Sequence, residues 1–271
     1  MTGSIPKIPF ALPNIAARPT FSIPDAEKRI LDFEDIELWL QPDLGNVRAQ
    51  ASNYLSITGR KGWLAQSNDA KIVLGTGMED IIPTINFTSG NTTAGKNPLH
   101  VPGFVIDGSY FVAVLLRFAA GTTFDSTTYR IISGGISGGT DVEFYCQNDR
   151  LSLRHGSGQS QTLAQSFAAD TSYLIWGSYD AGTNQAAVGI NSPTALVWST
   201  DNLTGAAGSG REIVIGGQFN AGRTQGEQLF NGQMRGFWAG RTAWVEPEFD
   251  VIRAAFLGEI ASLYPDDITL T

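Results

Sequence analysis

Acidic residues crowd together at two places in the chain, and paired carboxylates are the groups that cleave glycosidic bonds. A retaining glycosidase needs two carboxylates about 5 Å apart, which a strand supplies when acidic residues alternate along it. The first place, the segment DFEDIE, contains Asp32, Glu34, Asp35 and Glu37. Glu34 and Glu37 are three positions apart, so they would point to opposite faces of a regular strand. We therefore interpret this cluster as solvated groups at a hairpin edge.

A second acidic cluster and the two histidines are the other residues that could take part in catalysis. Asp141-Val142-Glu143 puts two carboxylates on one face of a strand, but neither a third acidic residue nor a Trp adjoins them. His100 lies between prolines in NPLHVPG, and His155 ends the segment RLSLRH. Neither histidine has a G-x-S-x-G pattern nearby, so we interpret both as solvated turn residues. We predict that the protein is not an enzyme.

The single cysteine, Cys146, lies in the apolar alternation VEFYCQ, which favours a buried structural thiol over a reactive one. One cysteine excludes a disulfide within the chain and a cysteine-based zinc site. Because the histidines and the cysteine are far apart in sequence, a transition-metal site is also disfavoured. We predict no cofactor.

Trp63 is the best single candidate for contact with a carbohydrate. It lies in TGRKGWLAQSND, whose polar residues and glycines predict a loop. A Trp in such a loop can lay its ring face against the apolar face of a sugar while polar neighbours bind the hydroxyls. The alternative, which stays open, is a Trp that fills the edge of a sandwich.

The segment LFNGQMRGFWAG, residues 229–240, predicts a strand that is buried on one side. At a period of two residues, one face consists of Phe230, Gly232, Met234, Gly236 and Trp238, and it is apolar. The other face is mostly polar, which leaves Arg235 and Phe237 as outward contacts, for a partner subunit more than for a sugar. The aromatic residues of this segment are therefore mainly core.

About a dozen short runs of alternating apolar residues predict strands, among them residues 109–118, 172–180 and 185–191. Gly-, Asn- and Ser-rich connections such as DAGTNQ suit antiparallel hairpins. Only residues 246–264 show a helical apolar stripe, which predicts a C-terminal helix that caps the sheets. The pattern as a whole predicts an all-β, antiparallel two-sheet sandwich of jelly-roll type that spans residues 25–271.

The N-terminal 24 residues predict an extended, proline-rich arm in front of this domain. Proline fixes φ and removes a backbone donor, so a long helix or a central strand is excluded there. The apolar side chains of the arm suit contact with a neighbouring subunit or with the arm's own domain, although a disordered tail is the other interpretation. The candidate assembly contacts are Ile5, Ile8, Phe10, Leu12, Ile15 and Phe21.

Charge and hydropathy restrict the partners. The chain of 271 residues has 18 Lys and Arg against 26 Asp and Glu, a formal net charge of −8, without a basic run. Affinity for nucleic acid or for an anionic membrane is therefore not expected. The prolines interrupt any apolar core of signal-peptide length, and no apolar window is long enough to span a bilayer. We expect synthesis in the cytoplasm without a cleaved signal.

Several motifs occur in an order that resembles one superfamily. ELWLQPD, PTINFTSGN and GSYFVAVLLRF are followed by the hairpin SYLIWGSYDAGTNQAAVGINSPTALVWS, then by REIVIGGQFNAG and by a closing segment that begins at FNGQMRG. In that order they resemble the concanavalin A-like, laminin G-like jelly rolls, especially modules of phage and bacterial surface proteins, over about residues 34–264. The sequence Ile190-Asn191-Ser192-Pro193 departs from the glycine turn that is usual in this superfamily.

The resemblance implies a jelly-roll fold and leaves calcium open, because this superfamily often binds calcium through loop carboxylates. Asp141, Asp149, Asp180 and Asp201 lie in turns where such ligands could gather, although Asp favours turns for local reasons as well. Our first functional hypothesis is a structural protein of a bacteriophage or phage-like virion, which contacts other virion proteins and its own copies through the arm. The alternative is a carbohydrate-binding or adhesin module for a cell-surface glycan.

Overall fold

The computed structural model describes residues 25–42, 47–50, 54–67, 72–76, 83–88, 98–106, 108–125, 127–134, 142–155, 160–193, 197–198, 212–219, 226–227, 229–245 and 247–271. The N-terminal arm and its six candidate assembly contacts, Ile5, Ile8, Phe10, Leu12, Ile15 and Phe21, lie outside the described residues. The arm therefore stays a prediction, as does the domain boundary near residue 25.

The described part of the chain consists mainly of short strands with two α-helices. The helices are α1 (Asp25–Asp32) and α2 (Asp250–Leu263), and a 3-10 turn (Pro247–Phe249) precedes α2. The strands are β1 (Leu38–Leu40), β2 (Val47–Gln50), β3 (Tyr54–Thr58), β4 (Leu64–Ser67), β5 (Ile72–Thr76), β6 (Pro83–Thr88), β7 (Leu99–Val105), β8 (Tyr110–Phe118), β9 (Tyr129–Ser133), β10 (Val142–Cys146), β11 (Arg150–His155), β12 (Ser160–Ala164), β13 (Ser172–Asp180), β14 (Gln185–Ile190), β15 (Val197–Trp198), β16 (Glu212–Ile215), β17 (Gln218–Phe219), β18 (Gly226–Glu227) and β19 (Asn231–Gly240).

These strands form two antiparallel sheets, which confirms the predicted sandwich. The first sheet has the order β15-β14-β13-β8-β19-β6-β5, and β1 also pairs with β19. The second sheet has the order β12-β11-β10-β9-β16-β7-β4-β3-β2, and β17 and β18 form a separate pair. Neighbours in the sheets are often far apart in sequence, such as β8 beside β19. Sheet packing of this kind leaves an inner face on each sheet for the core and an outer face for other contacts.

Alternation along β8 shows how the first sheet uses its two faces. Tyr110, Val112, Val114, Leu116 and Phe118 belong to the core between the sheets. The intervening residues Phe111, Ala113 and Leu115 belong to a second apolar cluster, which includes Phe256, Leu257 and Ile260 of α2. The two helices therefore cover part of the outer face of the first sheet, where the capping helix was predicted.

The helix predicted at residues 246–264 is confirmed, although its regular turns begin at Asp250. Helix α1 was not predicted. It packs beside α2, where Ile30 is fully buried and the Arg29 guanidinium contacts Glu259 at 2.5 Å. The fold also buries Cys146, as predicted, and burial raises the pKa of its thiol well above the ordinary value.

A bulge in β19 changes the predicted faces of the segment at residues 229–240. The register with β8 shifts between Met234 and Gly236, so Arg235 is an extra residue in β19. Beyond the bulge the alternation is inverted: Phe237 joins Met234 in the core between the sheets, whereas Trp238 faces the helices. Phe230 and Trp238 are core, as predicted.

The prediction that Arg235 and Phe237 are outward contacts is wrong for the same reason. Their relative exposures are 1% and 2%, so neither presents a surface to a partner. The Arg235 guanidinium lies over the ring of Tyr264 and pairs with Asp267 at 2.9 Å. Arg235 therefore binds the C-terminal segment of its own chain to the outer face of the first sheet.

Candidate functional site

Trp63 lies in the turn between β3 and β4, which confirms the predicted loop around this residue, although residues 64–67 of the same segment form β4. Its side chain is half-buried and packs against the core between the sheets. The ring meets the ring of Phe104 edge-on, with 5.1 Å between the centroids. Trp63 therefore combines both interpretations, because it closes the edge of the sandwich and keeps part of its ring at the surface.

The turn that carries Trp63 is fixed by backbone hydrogen bonds. The Gly59 amide donates to the Trp63 carbonyl at 2.7 Å, and the Arg60 amide donates to the Trp39 carbonyl at 2.8 Å. A Cβ atom at position 59 would lie 2.6 Å from the Trp39 carbonyl oxygen, so only glycine permits this close approach. Trp63 is thus held on a rigid support, as a preformed binding residue requires.

A carboxylate and an imidazole lie next to Trp63, across strand β7. The Glu212 carboxylate accepts a hydrogen bond from the Gly103 amide at 2.7 Å and contacts His100 Nε2 at 2.5 Å. Gly103 is exposed, has φ +78°, and a Cβ atom there would lie 3.6 Å from the Trp63 ring. The ring of Phe219 follows, 6.1 Å from the His100 ring. We call these five residues, Trp63, Gly103, Glu212, His100 and Phe219, the Trp63–Glu212 surface.

Arg241 also lies close to Trp63. Its guanidinium lies 4.6 Å from the centroid of the Phe104 ring and 5.9 Å from that of Trp63. It also contacts the Glu37 carboxylate at 2.5 Å and donates to the Val105 carbonyl at 3.0 Å. Beyond Arg241 lies an open cleft of about 410 Å³, whose lining includes Ser109, Asp180 and Glu248. Trp63 thus has both acceptor groups and a cation nearby.

The groups of the Trp63–Glu212 surface suit recognition of a polyhydroxylated ligand. A carboxylate has about four lone-pair sites, so Glu212 can accept from ligand hydroxyls beside its bonds to Gly103 and His100. The Glu212 and His100 side chains are both partly exposed. The half-exposed indole of Trp63 offers an apolar face within the same region. The arrangement can therefore bind both the hydroxyls and the C–H face of a sugar ring.

The interpretation of the histidines as solvated turn residues is wrong. His100 lies in strand β7, which was not predicted because prolines flank this residue. The Glu212 carboxylate contacts His100 Nε2 and holds the imidazole ring in place. His155 is 2% exposed and stacks on the ring of Tyr179, with 3.6 Å between the ring centroids. Burial lowers the pKa of His155 to about 4, so this side chain is a neutral core residue.

In the two acidic clusters, more of the described carboxylates interact with neighbouring side chains than are exposed to solvent. Asp32 and Glu34 are exposed, as predicted. Asp35, however, accepts from the Thr242 hydroxyl at 3.1 Å and from the Trp244 indole at 3.3 Å, and Glu37 pairs with Arg241. Glu143 is 6% exposed and lies 3.5 Å from Arg154, whereas Asp141 lies outside the described residues.

Of the carboxylates considered for calcium, Asp180 is engaged within its own turn. Asp180 accepts from the Gly182 amide at 2.8 Å and from the Thr183 hydroxyl at 3.0 Å. Asp149 has φ 52° in the tight connection between β10 and β11, while Asp201, like Asp141, lies outside the described residues. Within the part of the chain that the structure describes, no three His, Cys, Asp or Glu side chains are close enough to hold a metal ion. Nor is any described helix long and apolar enough to cross a bilayer.

Comparison with known proteins identifies the fold. No protein-family model and no curated protein sequence matches the chain. Among solved structures, Trypanosoma rangeli sialidase is similar with a TM-score of 0.51 at 10% identity, covering 83% of this chain and 33% of the sialidase. A carbohydrate-binding module, CBM40 of Ruminococcus gnavus IT-sialidase, is similar with a TM-score of 0.43 at 10% identity, covering 60% of this chain and 96% of the module.

The similarity to Trypanosoma rangeli sialidase shows a shared β-sandwich fold. The chain matches 33% of the length of Trypanosoma rangeli sialidase. The similarity therefore concerns the fold and does not extend to the activity of the whole enzyme. Together with the observed sheets, the comparison defines this protein as an antiparallel jelly-roll sandwich with a C-terminal capping helix. Folds of this kind support many functions, so the function has to come from the site.

Proposed function

We propose that this protein binds carbohydrate through the Trp63–Glu212 surface. The observation that carries the proposal is that a half-exposed Trp on a rigid turn adjoins a carboxylate–imidazole pair across a single exposed glycine. In this arrangement the indole stacks on the C–H face of a sugar ring, which is apolar, while Glu212 accepts from the hydroxyls at its edge. The absence of a side chain at Gly103 leaves room for the ring to approach both groups.

The proposed activity is binding without hydrolysis. Glycoside hydrolysis needs two carboxylates separated by about 5 to 10 Å on either side of the scissile bond. Glu212 contacts the His100 imidazole and accepts from the Gly103 amide, and both contacts orient its carboxylate. The Glu37 carboxylate is engaged with Arg241. These contacts suit recognition of hydroxyl groups.

The virion role predicted from the sequence gains no support from the described residues or from the structures named above, and it stays a prediction. The glycan hypothesis is preferred because the residue that it predicted, Trp63, has suitable neighbours in the structure. Trypanosoma rangeli sialidase has been solved with sialic acid and Ruminococcus gnavus CBM40 with sialyllactose, which describes those proteins. Our proposal for this chain depends on its own surface.

Replacing Trp63 with Ala is expected to weaken glycan binding about tenfold to a hundredfold, since a lost stacking contact costs on the order of 1–3 kcal/mol. Binding would first be located on a broad glycan array and then measured by calorimetry with the strongest ligand. Trp63→Phe, which keeps an aromatic face, should retain part of the affinity. Glu212→Gln should weaken binding as well, because it replaces one acceptor oxygen with a donor.

Leu64→Ala is the matched control, because Leu64 is the next residue and is also exposed, at 43%, but lies outside the Trp63–Glu212 surface. Its affinity should equal that of the unmodified protein. Thermal melting of all variants would separate a loss of binding from a loss of fold. An array without any bound glycan, or a Trp63→Ala variant that binds as tightly as the parent, would refute the proposal.

A further inference from the structure

A second cleft lies at the opposite end of β19 from Trp63. It encloses about 280 Å³, and its polar lining consists of Asn86, Arg117, Asp170, Asn231 and Gln233. Gln233 lies near the start of β19 and Arg241 directly follows its end, so the two clefts are roughly 25 Å apart along the strand. This second cleft, which we call the Arg117 cleft, is therefore independent of the glycan site proposed above.

The Arg117 cleft is built on three neighbouring strands of the first sheet. Gln233 of β19 lies directly opposite Asn86 of β6 on one side and Arg117 of β8 on the other. Adjacent strands are about 4.8 Å apart, so these three side chains form one polar row about 10 Å long. Arg117 has the same parity as Phe111 and Leu115, and it therefore lies on the outer face of the sheet, which the helices cover elsewhere.

Asp170 contributes a carboxylate at the rim of the cleft. Its Oδ1 accepts from Arg117 Nη2 at 2.7 Å, and the Asp170 side chain is 64% exposed against 24% for Arg117. The backbone at Asp170 has φ 61°, and its amide donates to the Phe118 carbonyl at 3.0 Å, which fixes the turn in front of β13. The guanidinium in the cleft thus already contacts a carboxylate, one that solvent also reaches.

The ion pair between Arg117 and Asp170 indicates which chemical group of a ligand the cleft can bind. A guanidinium presents five N–H donors in a planar fork that matches a carboxylate, and one bond to a solvated Asp uses only part of that fork. An exposed ion pair contributes little, so an incoming carboxylate can replace it at small cost. The Asn86 amide, which the Thr84 hydroxyl fixes through a bond of 2.8 Å, can orient the rest of a small ligand.

We propose that the Arg117 cleft binds small molecules that carry a carboxylate, and that Asp170 is an internal competitor for the same guanidinium. The volume of 280 Å³ suits one sugar ring or a short organic acid. The ligand's carboxylate takes the position beside Arg117, and Asp170 turns toward solvent. The proposal does not depend on glycan binding at Trp63, because the two sites share no residue.

The test is calorimetry, supported by ligand-observed NMR, with D-glucuronate, succinate and D-glucose as probes. Glucuronate and glucose differ by the carboxylate, whereas succinate carries carboxylates without a sugar ring. In the Trp63→Ala variant, which lacks the stacking residue of the proposed glycan site, we expect glucuronate to bind and glucose not to bind. If succinate also binds, the site accepts organic acids in general; if only glucuronate binds, the carboxylate has to be part of a sugar. Both results support the proposal.

Three variants make the test specific. Arg117→Gln should lower the affinity for the carboxylate probe at least tenfold, because the charge-assisted bonds are lost. Asp170→Asn should raise that affinity about threefold to tenfold, because the competing carboxylate is removed while the size of the side chain is kept. Trp63→Ala should leave it unchanged, which separates this site from the glycan site.

Three outcomes would overturn the inference. They are glucose binding as tightly as glucuronate, no binding of any probe, or an unchanged or weaker affinity in Asp170→Asn. The last result is the most informative, since a structural role for the ion pair would lower stability and affinity together. Thermal melting of Asp170→Asn distinguishes the two cases, because an internal competitor is removed without loss of stability.

Discussion

Replacing Asp267 with Asn is expected to lower the free energy of unfolding by about 3–5 kcal/mol. Asp267 and Arg235 pair at 2.9 Å, and their side chains are 4% and 1% exposed. Burial lowers the pKa of the Arg235 guanidinium, and the nearby Asp267 carboxylate opposes that shift. Without the carboxylate, a buried cation would remain uncompensated between the first sheet and the C-terminal segment. Urea unfolding followed by tryptophan fluorescence would measure the loss.

The matched control is the Arg117–Asp170 pair, which has the same residue types and a similar distance of 2.7 Å. Because the Asp170 side chain of this second pair is 64% exposed, Asp170→Asn should change the free energy of unfolding by less than about 1 kcal/mol. The two ion pairs have the same residue types and nearly equal distances, so burial is the property that differs between them. A loss below about 1 kcal/mol for Asp267→Asn would show that the buried guanidinium finds another partner or reaches water.

A double variant distinguishes the loss of stability when one partner is removed from the net contribution of the intact ion pair to the free energy of unfolding. Arg235→Met with Asp267→Leu removes both charges and keeps apolar volume under the helices. Such replacements are often neutral or stabilising, because neither ion then has to be desolvated. We therefore expect the double variant to recover most of the stability that Asp267→Asn loses. Failure to recover would mean that the pair is needed to fix the C-terminal segment in place.

The sandwich could be predicted from sequence because apolar alternation is a local property of each strand. The segments at 172–180 and 185–191 were predicted to within one residue of the bounds that the structure shows. Strands β3, β4 and β7 were missed, since polar residues, glycines and Pro102 break their alternation. Helix α1 was missed because its eight residues follow a proline-rich segment and lead directly into strand-like alternation.

The incorrect predictions at functional positions have a different cause. The contacts of these residues depend on strand pairing between distant parts of the chain. The bulge at Arg235 exists only in the register of β19 with β8, and no sequence period reveals it. Glu212 and His100 are brought together by the pairing of β16 with β7. Sequence alone could single out Trp63 from its loop, but it could not supply the partners that make Trp63 part of a surface.

His155 is the second residue for which a large effect is expected, and its surroundings explain why. The ring lies between the two sheets, stacked on Tyr179 and 6.0 Å from the ring of Tyr110. Its Nδ1 atom is buried and has no hydrogen-bond partner among the described residues. A protonated imidazole in this position would be a buried charge facing aromatic rings, so burial lowers the pKa of His155 from 6.5 to about 4.

This shift makes stability depend on pH. Because the pKa of His155 is lower in the folded than in the unfolded state, the unfolded chain binds the proton first as the pH falls. The contribution of the neutral imidazole is complete above pH 6.5 and is lost as the pH falls toward 4, in total about 3 kcal/mol. Between pH 7 and pH 5 the free energy of unfolding should fall by about 2 kcal/mol from this residue alone.

Urea unfolding at a series of pH values from 7 to 5 would measure this effect, with His155→Phe as the decisive variant. Phenylalanine keeps an aromatic ring against Tyr179 but cannot take up a proton, so the fall in stability between pH 7 and pH 5 should largely disappear. His100→Gln is the control, because the other histidine of the chain lies at the surface beside Glu212. If His155→Phe kept the full pH dependence, the acid sensitivity would have to come from carboxylates. The loss in His155→Phe and its persistence in His100→Gln would together assign the acid-sensitive step to the core between the sheets.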